Sequence, residues 1–211
     1  MRITFRKFFT ILFLIVFVHT LWAQRTAIYN DPDFAYRTGV DLFEKEKYGA
    51  AHKQFQYVIE NDRNPLFQLR ISAEYYDALC AVELYNRDAE YKFNEFVRKH
   101  PTNSRINLIQ YQLGRLAYRD KKYSRAQKYF KKVDVTELGS DQLDEFNFKN
   151  AYCYFKTKDN ENAKIYFEKV SHQDSKYQSP ANYYLAHIAY VDEDYETALM
   201  MFKKQIGRAH V

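Results

Sequence analysis

The chain repeats one pattern of small, aromatic and charged positions about every 35 to 38 residues. In each copy a small residue is followed by an aromatic residue four positions on, and later by an alanine and a phenylalanine that are also four apart. Residues four apart lie on one face of an α-helix, so each pair predicts one helix. Charged and turn-forming residues separate the two pairs, and each copy is therefore predicted to form helix, turn, helix.

Five copies fit this pattern in register. Their small, aromatic, alanine and phenylalanine positions are Gly39, Phe43, Ala51, Phe55; Ala78, Val82, Ala89, Phe93; Gly114, Tyr118, Ala126, Phe130; Ala151, Phe155, Ala163, Phe167; and Ala186, Tyr190, Ala198, Phe202. The second copy has a valine in place of the aromatic residue and is one residue shorter between its halves. We expect the small residue to let the second helix approach closely, and the phenylalanine to fill the remaining space.

This order resembles the tetratricopeptide repeat (TPR) family, over about residues 33–205. The resemblance implies an all-α fold, a right-handed superhelical solenoid of about five helix-turn-helix repeats. The units are expected at about 33–68, 69–103, 104–138, 141–176 and 178–205. The period exceeds the 34 residues of the family, which indicates extended turns between units.

The resemblance also predicts a partner-binding groove. In TPR proteins the residue three before the small residue faces the concave surface, and here that position is always aromatic: Tyr36, Tyr75, Tyr111, Phe148 and Tyr183. Arg115, Tyr152 and His187 follow the small residue and are expected to line the same groove, with Arg119 one turn beyond Arg115. Tyrosine and arginine are frequent interface hot spots. The alternative is that this aromatic ladder packs against neighbouring helices as core.

Both ends of the chain carry patterns of their own. Residues 1–23 are typical of a secretory signal, with basic residues followed by an apolar run, Phe8 to Val18, that is too short for the roughly 20 residues that span a bilayer. An uncleaved anchor is the alternative, and residues 24–32 are interpreted as a linker. Residues 206–211 match one reading frame of a common sequencing-library adapter. We therefore expect these six residues to be an artefact and the natural chain to continue past Gln205.

Charge and composition exclude several functions. The net charge is +5, but three basic residues and no acidic residue lie in 1–23, so the remainder carries only +2. That balance argues against nucleic acid as a partner. The five glycines are too scattered to form a phosphate-binding loop. The densest charge is a basic stretch from Lys121 to Lys132, which is predicted to be a solvated helix face, with an anionic partner as the alternative.

No catalytic, cofactor or metal site is predicted. Four histidines remain outside the two ends, His52, His100, His172 and His187, and they lie in different units without metal-ligand spacing. Cys80 and Cys153 are two units apart, too far for a disulfide, and are expected to be small buried core residues. The chain is therefore predicted not to be an enzyme.

The expected function follows from the resemblance to exported TPR arrays. It is a scaffold or adaptor in the periplasm or at the periplasmic face of the outer membrane, which binds a protein or peptide of the cell envelope through the groove. The alternative is the periplasmic sensor portion of a longer signalling protein, recognisable by a membrane segment and an output domain past Gln205. Binding of a glycan or another small ligand is a weaker alternative, because no polar cluster accompanies the aromatic residues.

Overall fold

The computed structural model describes residues 31–62 and 68–209, with side chains described as far as Lys203. This part of the chain contains ten α-helices and no strand. They are α1 (Pro32–Glu44), α2 (Tyr48–Asn61), α3 (Gln68–Glu83), α4 (Ala89–Lys99), α5 (Ile106–Arg119), α6 (Tyr123–Phe130), α7 (Ser140–Lys156), α8 (Asn160–Ser171), α9 (Gln178–Val191) and α10 (Tyr195–Ala209), with one 3₁₀ turn at Val135–Glu137. The predicted signal sequence lies outside the described residues.

The helices form two compact units, one ending at Phe96 within α4 and one beginning at Val97. The first unit holds the hairpin α1–α2, followed by α3 and most of α4. The second holds the hairpins α5–α6, α7–α8 and α9–α10. The prediction of an all-α chain built from five helix-turn-helix copies is confirmed. Helix α10 continues to Ala209 and so includes part of the segment 206–211.

A glycine in the first helix brings the two helices of a hairpin together. A Cβ atom on Gly39 would lie 2.7 Å from Cε1 of Phe55, and a Cβ atom on Gly114 would lie 2.3 Å from Cε1 of Phe130. Both phenylalanines are fully buried, and so are the alanines one turn before them. The expected arrangement of small residue, alanine and phenylalanine is confirmed, because the ring occupies the space that a side chain on the glycine would need.

Every hairpin turn contains one residue in the left-handed region, seven positions after the small residue. These five residues are Glu46, Tyr85, Lys121, Lys158 and Glu193, with φ between 57° and 65°. In each case the left-handed residue and the next one donate backbone hydrogen bonds back to the end of the first helix, for example Lys158 N to Phe155 O (3.1 Å) and Asp159 N to Tyr154 O (3.0 Å). This is the Schellman arrangement, which satisfies carbonyls that the helix end would leave unpaired.

Aromatic rings join successive hairpins within each unit. Tyr76 in α3 stacks on Phe55 of the preceding hairpin at 5.2 Å, and Tyr184 in α9 stacks on Phe167 of its preceding hairpin at 5.3 Å. Both tyrosines stand two residues before the small residue of their own copy. Stacked aromatic rings therefore contribute to the packing between successive hairpins.

Candidate functional site

The three middle members of the aromatic ladder are buried. Tyr75 is 8% exposed, Tyr111 1% and Phe148 9%. Phe148 lies 5.2 Å from the ring of Tyr177 and 5.7 Å from that of Phe167. These three side chains therefore agree with the alternative that the ladder packs against neighbouring helices as core. Rings enclosed in this way have little surface left for a partner.

The outer members of the ladder are more accessible. Tyr36 is half-buried and makes edge contacts with Phe55 and Tyr76, whereas Tyr183 is 47% exposed. Tyr36 belongs to the first unit and Tyr183 to the second, as do all predicted groove residues from Tyr111 onward. A groove running through both units stays a prediction, and the site is built here from the second unit alone.

Two cations converge on one carboxylate in the second unit. Nε of Arg115 in α5 donates to Oε1 of Glu145 in α7 at 2.8 Å, and Nζ of Lys149, one turn further along α7, donates to the same oxygen. The side chains of Arg115, Glu145 and Lys149 are 27%, 15% and 18% exposed. We call these three residues the ion cluster. The ion cluster lies at a half-buried position that solvent still reaches.

Burial and the neighbouring charges set the pKa values in the ion cluster. Burial alone would raise the pKa of Glu145, but Arg115 and Lys149 outweigh it, so the pKa is lowered and the carboxylate stays ionised at neutral pH. Burial lowers the pKa of Lys149, and the attraction of Glu145 only partly opposes this, because Arg115 is a second cation in the same place. Burial and the nearby Glu145 carboxylate raise the pKa of Tyr111, which keeps its hydroxyl protonated.

A group of four tyrosines, contributed by α5, α6, α7 and α9, adjoins the ion cluster. The ring of Tyr152 is 5.6 Å from Tyr118, 5.6 Å from Tyr123 and 5.2 Å from Tyr184. Nζ of Lys149 lies 5.3 Å above the ring of Tyr118, so this tyrosine group and the ion cluster are contiguous. Burial is the main cause that raises the pKa of Tyr118, and it raises that of Tyr184 to about 12. These hydroxyls therefore act as neutral hydrogen-bonding groups.

The two remaining predicted groove residues have different surroundings. Arg119 lies at the end of α5, with its Nε 4.0 Å from the carboxylate of Asp120 and 34% of its side chain exposed. His187 is half-buried, with its ring 5.3 Å from that of Phe155. Among the described residues its Nδ1 has no hydrogen-bond partner. Arg115 and Arg119 are four residues apart in α5, and only Arg115 belongs to the ion cluster.

Sequence reasoning missed Glu145 and Lys149. Their four-residue spacing is a sign of an intrahelical ion pair and was available in the sequence. The partnership of Glu145 with Arg115 spans 30 residues and has no local sequence signal. In the first unit a similar ionic contact was missed: buried Asp77 accepts from Nζ of Lys92 at 2.6 Å and contacts Nδ1 of His52 at 2.5 Å.

The thiols and the basic stretch lie where the sequence predicts them. Cys80 and Cys153 are fully buried and free, and burial is the main cause that raises the pKa of each to about 12, so neither is a thiolate at neutral pH. Lys121 in the turn before α6, and Arg125 and Lys128 on α6, are exposed to solvent. In the described part of the chain no group of three or more His, Cys, Asp or Glu residues is arranged to hold a metal ion.

A search for membrane-spanning helices covered the same described part of the chain. None of its helices is both long enough and apolar enough to cross a bilayer.

Comparison with known proteins identifies the fold. No family model matches the chain, and no curated protein does. Solved structures of helical repeat proteins do match it. Residues 41 to the end of MamA from Desulfovibrio magneticus RS-1 superpose with a TM-score of 0.65 at 16% identity, over 84% of this chain and 94% of that one. YrrB, described as a TPR protein with an unusual peptide-binding site, superposes with a TM-score of 0.63 at 21% identity, over 85% of this chain and 87% of that one.

These likenesses define the class of protein: it is an all-helical repeat protein. More particularly, it has the tetratricopeptide repeat fold, as the spacing of small and aromatic residues predicts.

Proposed function

We propose that this chain is a scaffold that binds a protein partner through the ion cluster and the adjoining tyrosine group of its second unit. The observation that carries the proposal is the convergence of Arg115 and Lys149 on the carboxylate of Glu145 at a half-buried position. Charged groups held in fixed positions favour a peptide segment or helix whose own charges complement them. The description of YrrB, a structure of similar fold, as having a peptide-binding site supports a peptide as the partner.

The tyrosine group supplies the apolar part of such a surface. Tyr152 is half-buried between Tyr118 and Tyr184, so its position is fixed before a partner arrives. A ring that is already held in place loses little conformational entropy on binding, and tyrosine and arginine are both frequent at the centre of interfaces. The ion cluster would then fix the position of the bound segment by contacting its charged side chains.

The proposed place of action is the cell envelope. Its support is the signal-like pattern of residues 1–23 and the resemblance to exported TPR arrays. Peripheral association with the outer membrane belongs to the same proposal. The sensor portion of a longer signalling protein stays the alternative prediction. N-terminal sequencing of the mature protein from a periplasmic extract tests export: a start at Gln24 supports it, and an intact Met1 in the cytoplasmic fraction contradicts it.

Site-specific photocrosslinking tests the binding surface. A photoreactive phenylalanine analogue replaces Tyr152 in one variant and Tyr91, which is 67% exposed in α4, in a matched control. We expect the position-152 variant to give a discrete crosslinked partner that the position-91 variant does not give. Arg115→Ala should abolish that crosslink, and Lys121→Ala, in the solvated basic stretch, should leave it unchanged.

The fold control for this experiment is circular dichroism at 222 nm. Lys149 still pairs with Glu145 when Arg115 is removed, so we expect the Arg115→Ala variant to stay helical. A crosslink that survives in a folded Arg115→Ala variant, or that forms equally from both positions, would move the binding surface away from the ion cluster.

A further inference from the structure

Successive hairpins of a unit enclose a space between the second helix of one hairpin and both helices of the next. The chain contains this space once in the first unit, between α2, α3 and α4, and twice in the second, between α6, α7 and α8 and between α8, α9 and α10. We call it the inter-hairpin space. Since the repeats are in register, its lining residues stand at equivalent positions and can be compared directly.

In the first unit, charged side chains occupy the inter-hairpin space. Lys92 from α4 reaches Asp77 of α3 at 2.6 Å, and His52 from α2 contacts the other oxygen of the same carboxylate. Asp77 is 6% exposed, so these contacts lie inside the space and not on its rim.

Between α6, α7 and α8, two aromatic rings occupy the equivalent space. Tyr154 of α7 stacks on Tyr166 of α8, with ring centroids 5.7 Å apart and planes inclined by 12°. The edge is closed by a hydrogen bond from Nε2 of Gln127 in α6 to Oγ1 of Thr157, at 3.2 Å.

Between α8, α9 and α10 the same space is open. Ala189 stands where the preceding hairpin has Tyr154, and Met201 stands where it has Tyr166, each 35 residues further along the chain. The result is a cleft of about 450 Å³ whose apolar wall includes Leu185, Ile188 and Met201. That volume falls in the range of about 300–1,000 Å³ typical of ligand pockets.

The rim of this cleft is predominantly acidic. Among the described residues, its lining contains the carboxylates of Glu168, Asp192 and Asp194, together with Lys164 and the exposed His172. Asp194 accepts hydrogen bonds from the side chain of Thr197 and from its backbone N–H, the latter at 3.1 Å, and these lower the pKa of Asp194 and keep it ionised. A cation beside the mouth of the cleft would therefore meet an excess of negative charge.

We propose that the cleft between α8, α9 and α10 binds an aromatic side chain of a partner segment that carries a basic residue next to the ring. The ring would occupy the volume that two tyrosine rings fill one hairpin earlier, and the basic residue would lie against the acidic rim. This surface shares no residue with the ion cluster or the tyrosine group. The proposal therefore stands or falls independently of the function proposed above.

The three methionines of the chain make a direct test possible. Met201 lines the cleft, Met200 beside it is 64% exposed, and Met1 is at the start of the chain. The full chain is labelled with methyl-¹³C-methionine, its signals are assigned with Met200→Leu and Met201→Leu, and the peptide acetyl-Lys-Tyr-Lys-amide is titrated in. We expect a saturable ring-current shift of the Met201 methyl signal and a much smaller change at Met200.

Two control peptides separate the ring from the charge. Acetyl-Lys-Ala-Lys-amide lacks the ring and acetyl-Glu-Tyr-Glu-amide reverses the flanking charge. We expect each to bind at least about tenfold more weakly, since an aromatic contact and a charge contact are each of that order. If acetyl-Lys-Ala-Lys-amide binds as tightly as acetyl-Lys-Tyr-Lys-amide, the proposal that an aromatic ring fills the cleft is wrong. If acetyl-Glu-Tyr-Glu-amide binds as tightly, the proposal that a basic residue lies at the rim is wrong.

A variant that fills the cleft completes the test. Ala189→Tyr rebuilds the ring of Tyr154 inside the cleft, whereas Leu199→Tyr adds the same ring at a position of α10 that is 55% exposed. The shift should be lost in the first variant and kept in the second. If circular dichroism shows that Ala189→Tyr does not fold, Ala189→Leu replaces it. The absence of a Met201 shift at millimolar peptide, or a shift retained in a folded filled variant, overturns the proposal.

Discussion

Replacing Gly114 by alanine should destabilise the second unit, although alanine is the better helix former. The added Cβ atom would lie 2.3, 2.5 and 2.9 Å from three ring atoms of Phe130. Carbon atoms in contact are normally about 3.5–4.0 Å apart, so the ring would have to move by about 1 Å. Phe130 is 1% exposed among close-packed neighbours and has little room for that movement.

The magnitude follows from two opposing terms. Overpacking a well-filled core costs about 1–3 kcal/mol, and the short distances place this site towards the upper end of that range. Exchanging glycine for alanine inside a helix returns about 0.5–1 kcal/mol. We therefore expect Gly114→Ala to lower the free energy of unfolding by about 1–2 kcal/mol.

Two other glycines provide matched controls. Gly39→Ala meets Phe55 at 2.7 Å and should be less harmful, whereas an added Cβ on Gly49 meets nothing within 4 Å. Gly49→Ala should therefore stabilise the chain by about 0.5–1 kcal/mol. The assay is urea unfolding followed by circular dichroism at 222 nm, compared at constant slope so that a change of midpoint reports a change of stability.

A double-mutant cycle tests the named contact. Phe130→Leu removes the ring atoms that the new Cβ atom would strike, so the two substitutions together should be less harmful than their sum by at least about 1 kcal/mol. The reasoning is refuted if Gly114→Ala is as stable as Gly49→Ala. It is also refuted if the two substitutions simply add.

Three further substitutions have defined outcomes. Lys158→Gly should raise the free energy of unfolding by about 0.5–1 kcal/mol, and with it the urea midpoint, because a left-handed φ of 65° is costly for lysine and free for glycine; an unchanged or lower midpoint would contradict this. Tyr111→Ala should cost about 3–5 kcal/mol, since the ring is 1% exposed, and an unchanged urea midpoint would instead place Tyr111 on the binding surface. Glu145 has a lowered pKa when folded, so its stabilising contribution is present above its unfolded value of about 4.3 and is lost as the pH falls through the folded value. Glu145→Gln should therefore be less stable at pH 7 and flatten the loss of stability on acidification in urea titrations, and an acid profile identical to that of the unaltered chain would refute the role of the ion cluster.

The hairpins could be predicted from the sequence because their signals are local. Four-residue spacing places Gly114 and Tyr118 on one helix face, and Ala126 and Phe130 on another, whatever the rest of the chain does. The close approach of Gly114 to Phe130 follows from that register. The left-handed turn residues are harder to predict, because Lys121 and its counterparts are not glycines and only their constant distance from the small residue marks them.

The candidate sites depend on contacts that are distant in sequence. The partnership of Arg115 with Glu145 joins residues 30 apart, and nothing local marks Glu145 as the partner of Arg115. The cleft exists because Ala189 and Met201 replace a stacked pair of tyrosines, a difference visible in the sequence only once the packing has shown that those positions face each other.

The sequence by itself therefore determined the class of fold, the number of hairpins and the register of small and aromatic positions within them. Helical periodicity and the spacing of small residues depend on neighbours a few positions away, so they can be recognised from the sequence alone. The tertiary structure alone decided how deeply each member of the aromatic ladder is buried. Tyr111 and Phe148 are enclosed while Tyr183 is half exposed, although all three occupy the same place in the repeat. Burial depends on the helices that neighbouring hairpins place around a residue, and a repeat position says nothing about the size of those neighbours.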